Sequence, residues 1–512
     1  MLGCDAVSHH AAFRLLAFSM LCVAVLPRLA DRGMFLDGVT YAAISRNLSE
    51  GTGTLWHPHY TKTVYPDFHE QPPLGMGLQA LLFAVMGDRV GTERLYSFLV
   101  GVLSMGLVVW VWRVARPDEE LRENGWVPAV LWITAPVVSW SIVNNMLEST
   151  QSMFTLLAVG SAIAALGMAG RPSLAWAAVS GSAVTAALLI KGPVGLFPLA
   201  TPWAYWAARA STGLFAKGPA PGARLRRVAL VSAIQVGVTC VALLAVLSYG
   251  PARTGLQAYL DQQLRPTIAG ARETSATRLR FARKLAQDLL PMAALTAIVL
   301  YLARRRLTAS RPADWQWAVT FLLLGVAASV PLAVSPKQSG HYVVPSMPLF
   351  ALGFASMIGA ASAGIVPGSV RARRRVLWAA ALLVAGSAAV LAARWGTAGR
   401  DAQRLTDLER VFEVVPPGTT LRLCSASMSD WGLHAYAQRL WRASLDGRAA
   451  PHRWALAPHA HGCAAPDGCQ AVPLDTATMA LYDCAPPETG MSSGGRSGVA
   501  RRSAIARGSP GR

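Results

Sequence analysis

The stretch from Phe35 to Gly77 is FLDGVTYAAISRNLSEGTGTLWHPHYTKTVYPDFHEQPPLGMG, and it follows directly on an apolar segment at 11–30. The stretch is polar, contains several histidines and carboxylates, and has Glu70 just before a pair of prolines. Its first acid, Asp37, lies within a turn or two of the apolar segment. Because a carboxylate at the edge of hydrocarbon is costly, Asp37 is a candidate functional residue.

The overall composition is typical of a membrane protein. Hydrophobic residues make up 53% of the chain and charged residues only 14%, whereas soluble domains carry roughly 25% charged residues. The excess of 47 Lys and Arg over 27 Asp and Glu lies between apolar segments, where basic residues set topology. We therefore expect no nucleic-acid partner. The chain has neither a Walker-type phosphate loop nor a dinucleotide fingerprint, which argues against an ATP-driven pump.

Apolar segments long enough to cross a bilayer, roughly 17–25 residues each, predict about eleven transmembrane helices within residues 1–393. The segment 72–87 is also apolar, but it is shorter and opens with two prolines. Whether it crosses the membrane determines the side on which every later loop lies. The candidate spans are 11–30, 92–112, 126–143, 152–170, 173–190, 194–209, 228–249, 287–303, 316–334, 342–361 and 375–393.

Basic clusters resolve that choice, because cytoplasmic loops collect Lys and Arg. If 72–87 lies in the plane of the interface, the four clusters and the N-terminus are all cytoplasmic; if it crosses, the clusters all lie outside. We therefore predict in-plane helices within a first external loop at 31–91. A cleaved signal peptide at 11–30 is the alternative. The clusters are Arg113/Arg116/Arg122, Arg209/Lys217/Arg224/Arg226/Arg227, Arg304/Arg305/Arg306/Arg311 and Arg371/Arg373/Arg374/Arg375.

The same topology places several polar residues at membrane boundaries on the external face. Taken singly, each has a plain structural explanation: a lysine at a helix end extends to the interface, and a loop acid or histidine is simply solvated. Together, around one cavity, they suit an anionic lipid-linked substrate and a general base. The group consists of Asp37, Glu148, Lys191, Lys337, His341 and Tyr342.

The predicted external loop 250–286 is rich in arginine, against the usual trend. A cationic lid over a phosphate-bearing substrate explains it, since Arg binds phosphate oxygens in a bidentate fashion. Attraction to anionic lipid headgroups explains it equally well. Arg265 is the substrate-binding candidate in this loop, whose basic residues are Arg253, Arg265, Arg272, Arg278, Arg280, Arg283 and Lys284.

A series of motifs follows one another along roughly residues 11–360. They are DGVTYAAISRNL, HEQPPLGMGLQALLFAVMGD with TERLYSFLVG, W-x-x-x-P-x-x-x-W with NNMLEST, LLIKGPVGLFPL and PKQSGHYVVPSMP. In this order and with this topology they resemble the motifs of C-type glycosyltransferases. The branch is that of the protein O-mannosyltransferases and the lipid A aminoarabinose transferase, often labelled family 39.

The resemblance implies a fold of that type, a sugar donor linked to polyprenyl phosphate, and transfer with inversion to an acceptor on the external face. Asp37 matches the acid that deprotonates or positions the acceptor, and Glu148 matches a second acid that is commonly Asp. Glu70 matches an acidic position before the proline pair, although Gln71 replaces the lysine of the aminoarabinose branch.

The remaining substrate-binding candidates come from the same motifs. Lys191 and Lys337, with Tyr342, match positions that face the donor phosphate or sugar, and the other candidates are Tyr41, Arg46 and His341. The chemistry agrees with these residue types. A phosphate leaves without an acid, so cationic stabilisation of its charge is the main requirement, and an alcohol acceptor needs a nearby base.

Cofactors and rival functions stay open from the sequence. No cofactor is certain. Some relatives use a divalent metal, and His57, His59, His69 and Glu70 could supply ligands, but their spacing carries no metal signature. The alternative function is a transporter or flippase of lipid-linked saccharides, although such proteins usually contain internal repeats and none is visible. A membrane scaffold is disfavoured by the many charged groups at span ends.

The polar region after residue 393 predicts a small external α/β domain at 394–485. VPPGTTLRLCSAS predicts a turn and a strand, DWGLHAYAQRLWRASLDG a helix with Asp430 as N-cap, and TATMALYDC another strand. One or two disulfides are expected there; a zinc site is the rival, without a tight CxxC pair. The cysteines are Cys424, Cys463, Cys469 and Cys484. The Gly/Ser/Arg-rich tail 486–512 is expected to be disordered.

These expectations place the protein in a bacterial inner membrane with a cytoplasmic N-terminus and a periplasmic C-terminal domain. The expected partners are the lipid-linked donor, membrane lipid, and an acceptor that is a protein, a lipid or a polysaccharide. Protein glycosylation and lipopolysaccharide modification are the processes that such an enzyme serves. The sequence leaves the sugar, the acceptor, the disulfide pairing and the oligomeric state undetermined.

Overall fold

A computed structural model describes residues 2–116, 118–167, 173–212, 221–271, 279–304, 312–336, 338–359, 369–448 and 450–484. The predicted disordered tail, 486–512, lies outside them. The bundle helices are α1 (Leu2–Leu29), α2 (Leu36–Ser49), α3 (Leu74–Met86), α4 (Val90–Ala115), α5 (Glu119–Arg122), α6 (Trp126–Thr134), α7 (Pro136–Val143), α8 (Leu147–Leu166), α9 (Leu174–Lys191), α10 (Thr201–Ser211), α11 (Pro221–Ser248), α12 (Gly250–Tyr259), α13 (Arg265–Ile268), α14 (Leu279–Ala303), α15 (Pro312–Val334), α16 (Met347–Met357) and α17 (Val370–Ala393). Three 3₁₀ segments (Glu123–Gly125, Gly192–Ala200, Gly340–Ser346) and a π-helical segment (Leu260–Leu264) connect some of them.

The bundle is that of a multi-pass membrane protein. Within the described residues, eight helical stretches are long and apolar enough to cross a bilayer, and a bent pair that ends in α7 makes a ninth. The predicted polytopic α-helical class is therefore confirmed. The predicted number of about eleven is larger because two of the predicted passes are not straight, independent α-helices.

The first of these passes lies within residues 174–211, one apolar stretch in which the chain reverses its direction. Gly192 adopts φ +76°, outside the helical region. Gln235 Nε2 donates to both Ser180 Oγ (2.8 Å) and the Pro198 carbonyl (3.1 Å), two groups that a straight helix would hold roughly 27 Å apart. Two antiparallel passes therefore meet at Gly192, as the sequence predicts.

The second is the predicted pass at 342–361, which begins as the 3₁₀ segment Gly340–Ser346 and continues as α16. It packs antiparallel to α15, because Gly325 lies against Phe350 and Gly353 lies against Leu322. With rises of about 2.0 Å per 3₁₀ residue and 1.5 Å per α-helical residue, the two segments together cover about 30 Å. That length matches the hydrocarbon core of a bilayer.

The pass at 126–143 is broken between α6 and α7, whose axes differ by 76°. Pro136 starts α7 at its first turn, where a missing backbone N–H costs nothing. The next amide, of Val137, donates to Asp288 Oδ1 at 3.1 Å, and Lys284 Nζ lies 3.3 Å from the same oxygen. A buried carboxylate from α14 thus caps the broken helix and satisfies an amide that the break leaves open.

The first external loop of the prediction contains α2 and α3. At 13 residues, α3 is about 20 Å long and too short for a bilayer core of about 30 Å. Its Leu81 and Val85 are 66% and 81% exposed. A short helix with an exposed apolar face agrees with the in-plane orientation predicted for 72–87, which stays a prediction.

The C-terminal region contains a five-stranded mixed sheet in the order β2-β1-β3-β5-β4. Strand β1 is parallel to both β2 and β3, and β5 is antiparallel to both β3 and β4. Disulfides join Cys424 to Cys463 and Cys469 to Cys484. The elements are α18 (Ala402–Val414), β1 (Thr420–Leu423), the 3₁₀ turn Ser425–Ser427, α19 (Trp431–Trp441), β2 (Ser444–Asp446), β3 (Trp454–Pro458), the 3₁₀ turn His459–His461, β4 (Gln470–Ala471) and β5 (Met479–Asp483).

The sheet region packs firmly on the bundle through α19. Its apolar core extends to Met34 and Val39 at the start of α2, and the Tyr436 hydroxyl donates to the Met34 carbonyl at 2.8 Å. Arg439 pairs with Glu93 (2.8 Å) and Asp88 (2.7 Å). The C-terminal region therefore packs against the start of α2 and the connection between α3 and α4.

Candidate active site

Glu148 lies at the centre of the candidate site. It occupies the first turn of α8, is 1% exposed, and its Oε1 lies 2.6 Å from Lys191 Nζ and 3.3 Å from His341 Nε2. Lys191 is the last residue of α9. A carboxylate at a helix N-terminus and an ammonium at a C-terminus both complement the helix dipole. The structure thus brings together three residues that the sequence placed on one face.

Aromatic rings surround this ion pair. The His341 ring stacks on Trp140 at 5.7 Å, and the Tyr342 ring meets His341 edge-on at 4.9 Å. Lys191 Nζ lies 5.4 Å from the centre of the Tyr342 ring, within the range of a cation–π contact. The 3₁₀ segment therefore presents His341 and Tyr342 side by side to the ends of α8 and α9.

Asp37 is held in place by the asparagine pair of NNMLEST. It lies in the first turn of α2, where the Phe35 amide donates to Asn144 Oδ1 at 2.7 Å. Asn145 Nδ2 donates to the Gly38 carbonyl at 3.1 Å. The Gly38 Cα packs so closely on the Asn144 carbonyl that no Cβ would fit. The DG of DGVTYAAISRNL and the NN of NNMLEST therefore contact each other directly.

Asp37 and Lys191 line the same cavity, which has a volume of about 480 Å³. A smaller cavity of about 140 Å³ lies next to it and includes Glu148 and the apolar side chains of Val194 and Leu332. Four residues line both cavities and separate them: Gln71, Lys191, Gln263 and Tyr342. The remaining lining of the larger cavity is Phe35, Leu36, Thr40, Tyr41, Tyr60, Tyr65, Phe68, Glu70, Ser339, His341 and Trp431.

The phenols at this site are held in their protonated form. Burial, together with the negative charges of Asp37 and Glu148, raises the pKa of Tyr41 well above its usual value. Burial likewise raises the pKa of Tyr60 and raises the pKa of Tyr259, beside the smaller cavity, to about 12. These hydroxyls therefore act as hydrogen-bond donors at neutral pH, not as phenolate bases.

Two of the predicted substrate-binding arginines, Arg46 and Arg265, are not among the residues that line either cavity, and their substrate-binding role stays a prediction. Arg46 is buried and donates to the Arg439 carbonyl (2.9 Å); it follows Asp37 by nine residues, so the two lie on opposite faces of α2. Tyr41, four residues after Asp37, shares its face and lines the cavity. Arg265 is 73% exposed on its side chain and pairs with Asp261 one turn earlier.

The remaining predicted residues are placed as follows. Glu70 lines the larger cavity, where its Oε1 accepts from the Tyr65 hydroxyl at 3.1 Å. Lys337 lies outside the described residues, as do Arg272 and Arg278 of the basic loop. Ser339, two residues after Lys337, lines the larger cavity.

Several lining residues escaped the sequence reasoning. Gln263 belongs to the π-helical segment; such segments recur at functional sites, but the arginine-rich pattern of this loop predicted Arg265 instead. Tyr259 precedes that segment and packs against Gly192. Trp431 comes from α19, more than 390 residues after Asp37 in the chain, and only tertiary contacts reveal it.

The histidines of the first loop do not form a metal site in the part of the chain that the structure describes, where no group of three or more His, Cys, Asp or Glu could hold an ion. His57 Nε2 is 3.1 Å from Thr254 Oγ1, and His59 Nδ1 is 2.8 Å from the Pro66 carbonyl. The rings of His57 and His69 meet edge-on at 5.3 Å. The ligand set considered for a divalent metal therefore does not fit one.

The bundle, the sheet region and the cavity between them define a multi-pass membrane protein with a small C-terminal mixed sheet. No protein-family model matches the chain, and no curated protein matches it. The fold is similar to that of ArnT from Cupriavidus metallidurans in the apo state, with a TM-score of 0.58 and 19% identity over 92% of this chain and 96% of that one.

Two further solved structures show the same likeness. ArnT from the same organism bound to undecaprenyl phosphate gives a TM-score of 0.57 and 18% identity over 92% of this chain and 97% of that one. The oligosaccharyltransferase AglB from Archaeoglobus fulgidus, in complex with an inhibitory peptide and a dolichol-phosphate, gives 0.50 and 12% over 88% and 69%. At such low identity these likenesses show the fold.

Proposed function

We propose that this protein is a glycosyltransferase that transfers a sugar from a polyprenyl-phosphate donor to a hydroxyl acceptor on the external face of the membrane. The observation that carries the proposal is the placement of Lys191. It lines both cavities: the larger contains the carboxylates of Asp37 and Glu70, and the smaller contains apolar side chains such as Val194 and Leu332. An anionic headgroup at Lys191 would have its sugar beside Asp37 and its tail against apolar side chains.

The smaller cavity supports a lipid-linked donor. Its apolar members include Val194, Leu264 and Leu332. Val194 lies in the 3₁₀ segment that leads into α10, and Leu332 lies near the end of the apolar helix α15. Two similar structures support this assignment, since one ArnT structure holds undecaprenyl phosphate and the AglB structure holds a dolichol-phosphate. We infer that the donor phosphate lies at Lys191 and Tyr342, between the two cavities.

Transfer then needs two contributions from the protein. The departing phosphate gains negative charge, which the Lys191 ammonium stabilises from a fixed position. The acceptor hydroxyl must lose its proton, and Asp37 is the base proposed for that step because it lines the larger cavity. Attack from the Asp37 side, opposite the phosphate, inverts the anomeric carbon.

Glu148 has a positioning role in this scheme. Its carboxylate is buried against Lys191 and His341, so it holds the ammonium that meets the phosphate and keeps the charge of the pair balanced. The substrate-facing candidates are Tyr41, Glu70, His341 and Tyr342. A finer assignment rests on the motifs. It places the protein in the family 39 branch, as a hexosyl- or pentosyltransferase of a bacterial inner membrane with a cytoplasmic N-terminus.

The test uses the full chain in lipid nanodiscs with undecaprenyl phosphate that carries a tritium-labelled hexose or pentose, plus membrane extract as the acceptor source. Wild-type protein is expected to release undecaprenyl phosphate and label the acceptor. Asp37→Asn removes the base and should lower kcat by about 10²-fold or more, with little change in donor KM.

The matched control is Asp67→Asn, an exposed acid of the same loop, which should retain full activity. Donor that stays intact but moves between leaflets would contradict the proposal and indicate a flippase instead. Full activity in folded Asp37→Asn protein would exclude the role of Asp37 as the base.

A further inference from the structure

The C-terminal domain contributes Trp431 to the lining of the larger cavity. Trp431 is the first residue of α19 and lies 6.0 Å from the ring of Tyr65, at an angle of 40°. Phe68 and Tyr60 continue the aromatic wall below them, with successive ring distances of 6.1 and 6.2 Å. A region more than 330 residues later in the chain than Tyr65 thus completes one wall of the cavity.

Trp431 is rigidly mounted. The preceding residue, Asp430, caps α19 by accepting from the Leu433 amide at 3.1 Å. Arg404 of α18 holds the same carboxylate with two hydrogen bonds of 3.1 and 3.0 Å. Both contacts fix the start of α19, from which the indole, 41% exposed, reaches the cavity edge.

Contacts with the same domain hold the backbone that leads into Tyr65. Tyr65 adopts φ +52°, a conformation that costs roughly 1–3 kcal/mol for a non-glycine residue and persists where the surroundings enforce it. The enforcing contacts are with β2: the Thr63 hydroxyl donates to the Leu445 carbonyl at 2.7 Å, and the Lys62 amide donates to Ser444 Oγ at 3.1 Å. Its own hydroxyl is directed to Glu70.

The charge of the lining limits what binds against this wall. Among the described residues that line the larger cavity, the carboxylates are Asp37 and Glu70, and the permanent cation is Lys191. Lys191 is already paired with Glu148 and borders the donor side. No arginine appears among the described residues of that lining. A phosphorylated acceptor would meet two carboxylates there, whereas hydroxyl groups would find acceptors for their hydrogen bonds.

We propose that Trp431 and Tyr65 form a binding platform for a neutral sugar ring of the acceptor, so that the acceptor is an uncharged saccharide. This assignment rests on the transferase function proposed above. The indole and phenol rings pack against the C–H face of the sugar, Glu70 accepts from its hydroxyls, and the hydroxyl to be glycosylated points to Asp37. The C-terminal domain is then half of the acceptor site.

The experiment compares acceptors in the nanodisc assay with the labelled undecaprenyl-phosphate donor. Three pools are supplied: neutral oligosaccharides, the same oligosaccharides phosphorylated, and Ser/Thr-containing peptides. Label is expected in the neutral pool. Trp431→Ala should raise the KM for the neutral oligosaccharide roughly tenfold. Its effect on kcat should be much smaller than that of Asp37→Asn.

Two controls separate binding from folding. Trp431→Phe keeps a ring and should restore most of the affinity, and Trp395→Ala removes an exposed tryptophan that does not line the cavity and should leave KM unchanged. Donor consumption with label in the phosphorylated or peptide pool, or an unchanged KM in Trp431→Ala, overturns the acceptor assignment alone. Absence of any donor consumption overturns the transferase function and this assignment together.

Discussion

Lys191 carries the largest share of the proposed chemistry, and its properties come from its partners. Its ammonium is surrounded by the Glu148 carboxylate at 2.6 Å and the Tyr342 ring at 5.4 Å. Burying a cation is costly unless a counter-charge and hydrogen bonds accompany it. A lysine at a helix end in isolation would extend to the interface; here the buried carboxylate keeps it at the boundary between the cavities.

Glu148→Gln tests this dependence. Removing one charge of a buried pair leaves the other uncompensated and typically costs about 3–5 kcal/mol, so we expect a lower Tm and a donor KM raised by about tenfold or more. The measurements are thermal unfolding in detergent and donor kinetics. Glu413→Gln, at an exposed position of α18, is the control and should change neither. Unaltered Tm and donor KM in Glu148→Gln would show that Lys191 needs no counter-charge.

Among the elements, the turn between α9 and the 3₁₀ segment positions Lys191. Gly192 follows it with φ +76°, and Gly195 packs on the backbone of Ala187 and Leu188 as the chain returns. A Cβ on Gly192 would collide with the Tyr259 hydroxyl. The reversal therefore requires glycine for two reasons, its backbone conformation and its contact with α12.

Gly192→Ala should therefore destabilise the protein by roughly 1–3 kcal/mol and reduce donor affinity, because Lys191 is displaced with the turn. Differential scanning fluorimetry and donor KM report the two effects. Gly237→Ala is the matched control, since that helical glycine has open space around its Cα and alanine has the better helix propensity. A Gly192→Ala protein as stable as wild type would contradict the strained turn.

At the scale of the whole molecule, ion pairs hold the C-terminal domain on the bundle. Arg439 is buried between Glu93 and Asp88, and the exposed Arg442 pairs with Glu50 and Asp88. These contacts join the C-terminal end of α19 to α4, to the connection between α3 and α4, and to the residue that follows α2. Since α19 carries Trp431, the same contacts position this part of the lining of the larger cavity.

Arg439→Met should loosen this interface, because Glu93 would remain buried without its partner, at a cost of about 3–5 kcal/mol. Hydrogen exchange is expected to rise in α2 and α19, and transferase activity to fall. Arg410→Met removes a surface arginine whose partner Asp475 is almost fully exposed; such pairs contribute about 0–1 kcal/mol, so this control should behave as wild type. Unchanged exchange in Arg439→Met would exclude the docking role.

The C-terminal domain should also lose stability in acid. Burial by itself would raise the pKa of Asp88, but the charge of Arg439 and the hydrogen bond from Arg442 lower it. Burial would likewise raise the pKa of Asp407, and its hydrogen bonds from Thr478 and Ala477 lower it. Carboxyls of an unfolded chain titrate near about 3.9. A depressed folded pKa contributes stability above that value, and this stability is lost as the pH falls through the folded pKa.

We therefore expect the Tm of the domain transition to be level near neutral pH and to fall as the pH drops below about 4. Tryptophan fluorescence during thermal unfolding at a series of pH values measures it. Asp407→Asn should be less stable at pH 7 and show a shallower acid dependence, whereas Asp475→Asn, at an exposed position, should follow wild type. An Asp407→Asn curve parallel to that of wild type would contradict the assignment.

Much of the architecture was predictable from the sequence because hydropathy and charge act locally. The number of apolar segments, the short 72–87 segment and the capping of α19 by Asp430 all follow from a few neighbouring residues. The motif order also pointed to the right fold. The pairing of the cysteines did not follow, because strand order decides which thiols meet.

The amino-acid pattern alone indicated the membrane class, the positions of the polar residues at the ends of the apolar segments, and the candidate acids and lysines. Which of these residues share a cavity became clear from the folded chain. The fold placed Arg46 on the far face of α2 and Arg265 at the surface, and it brought Trp431 from the C-terminal domain to the cavity. The reason is physical: burial preference and charge are properties of single residues, whereas a site is made by side-chain direction and by contacts between segments far apart in the chain.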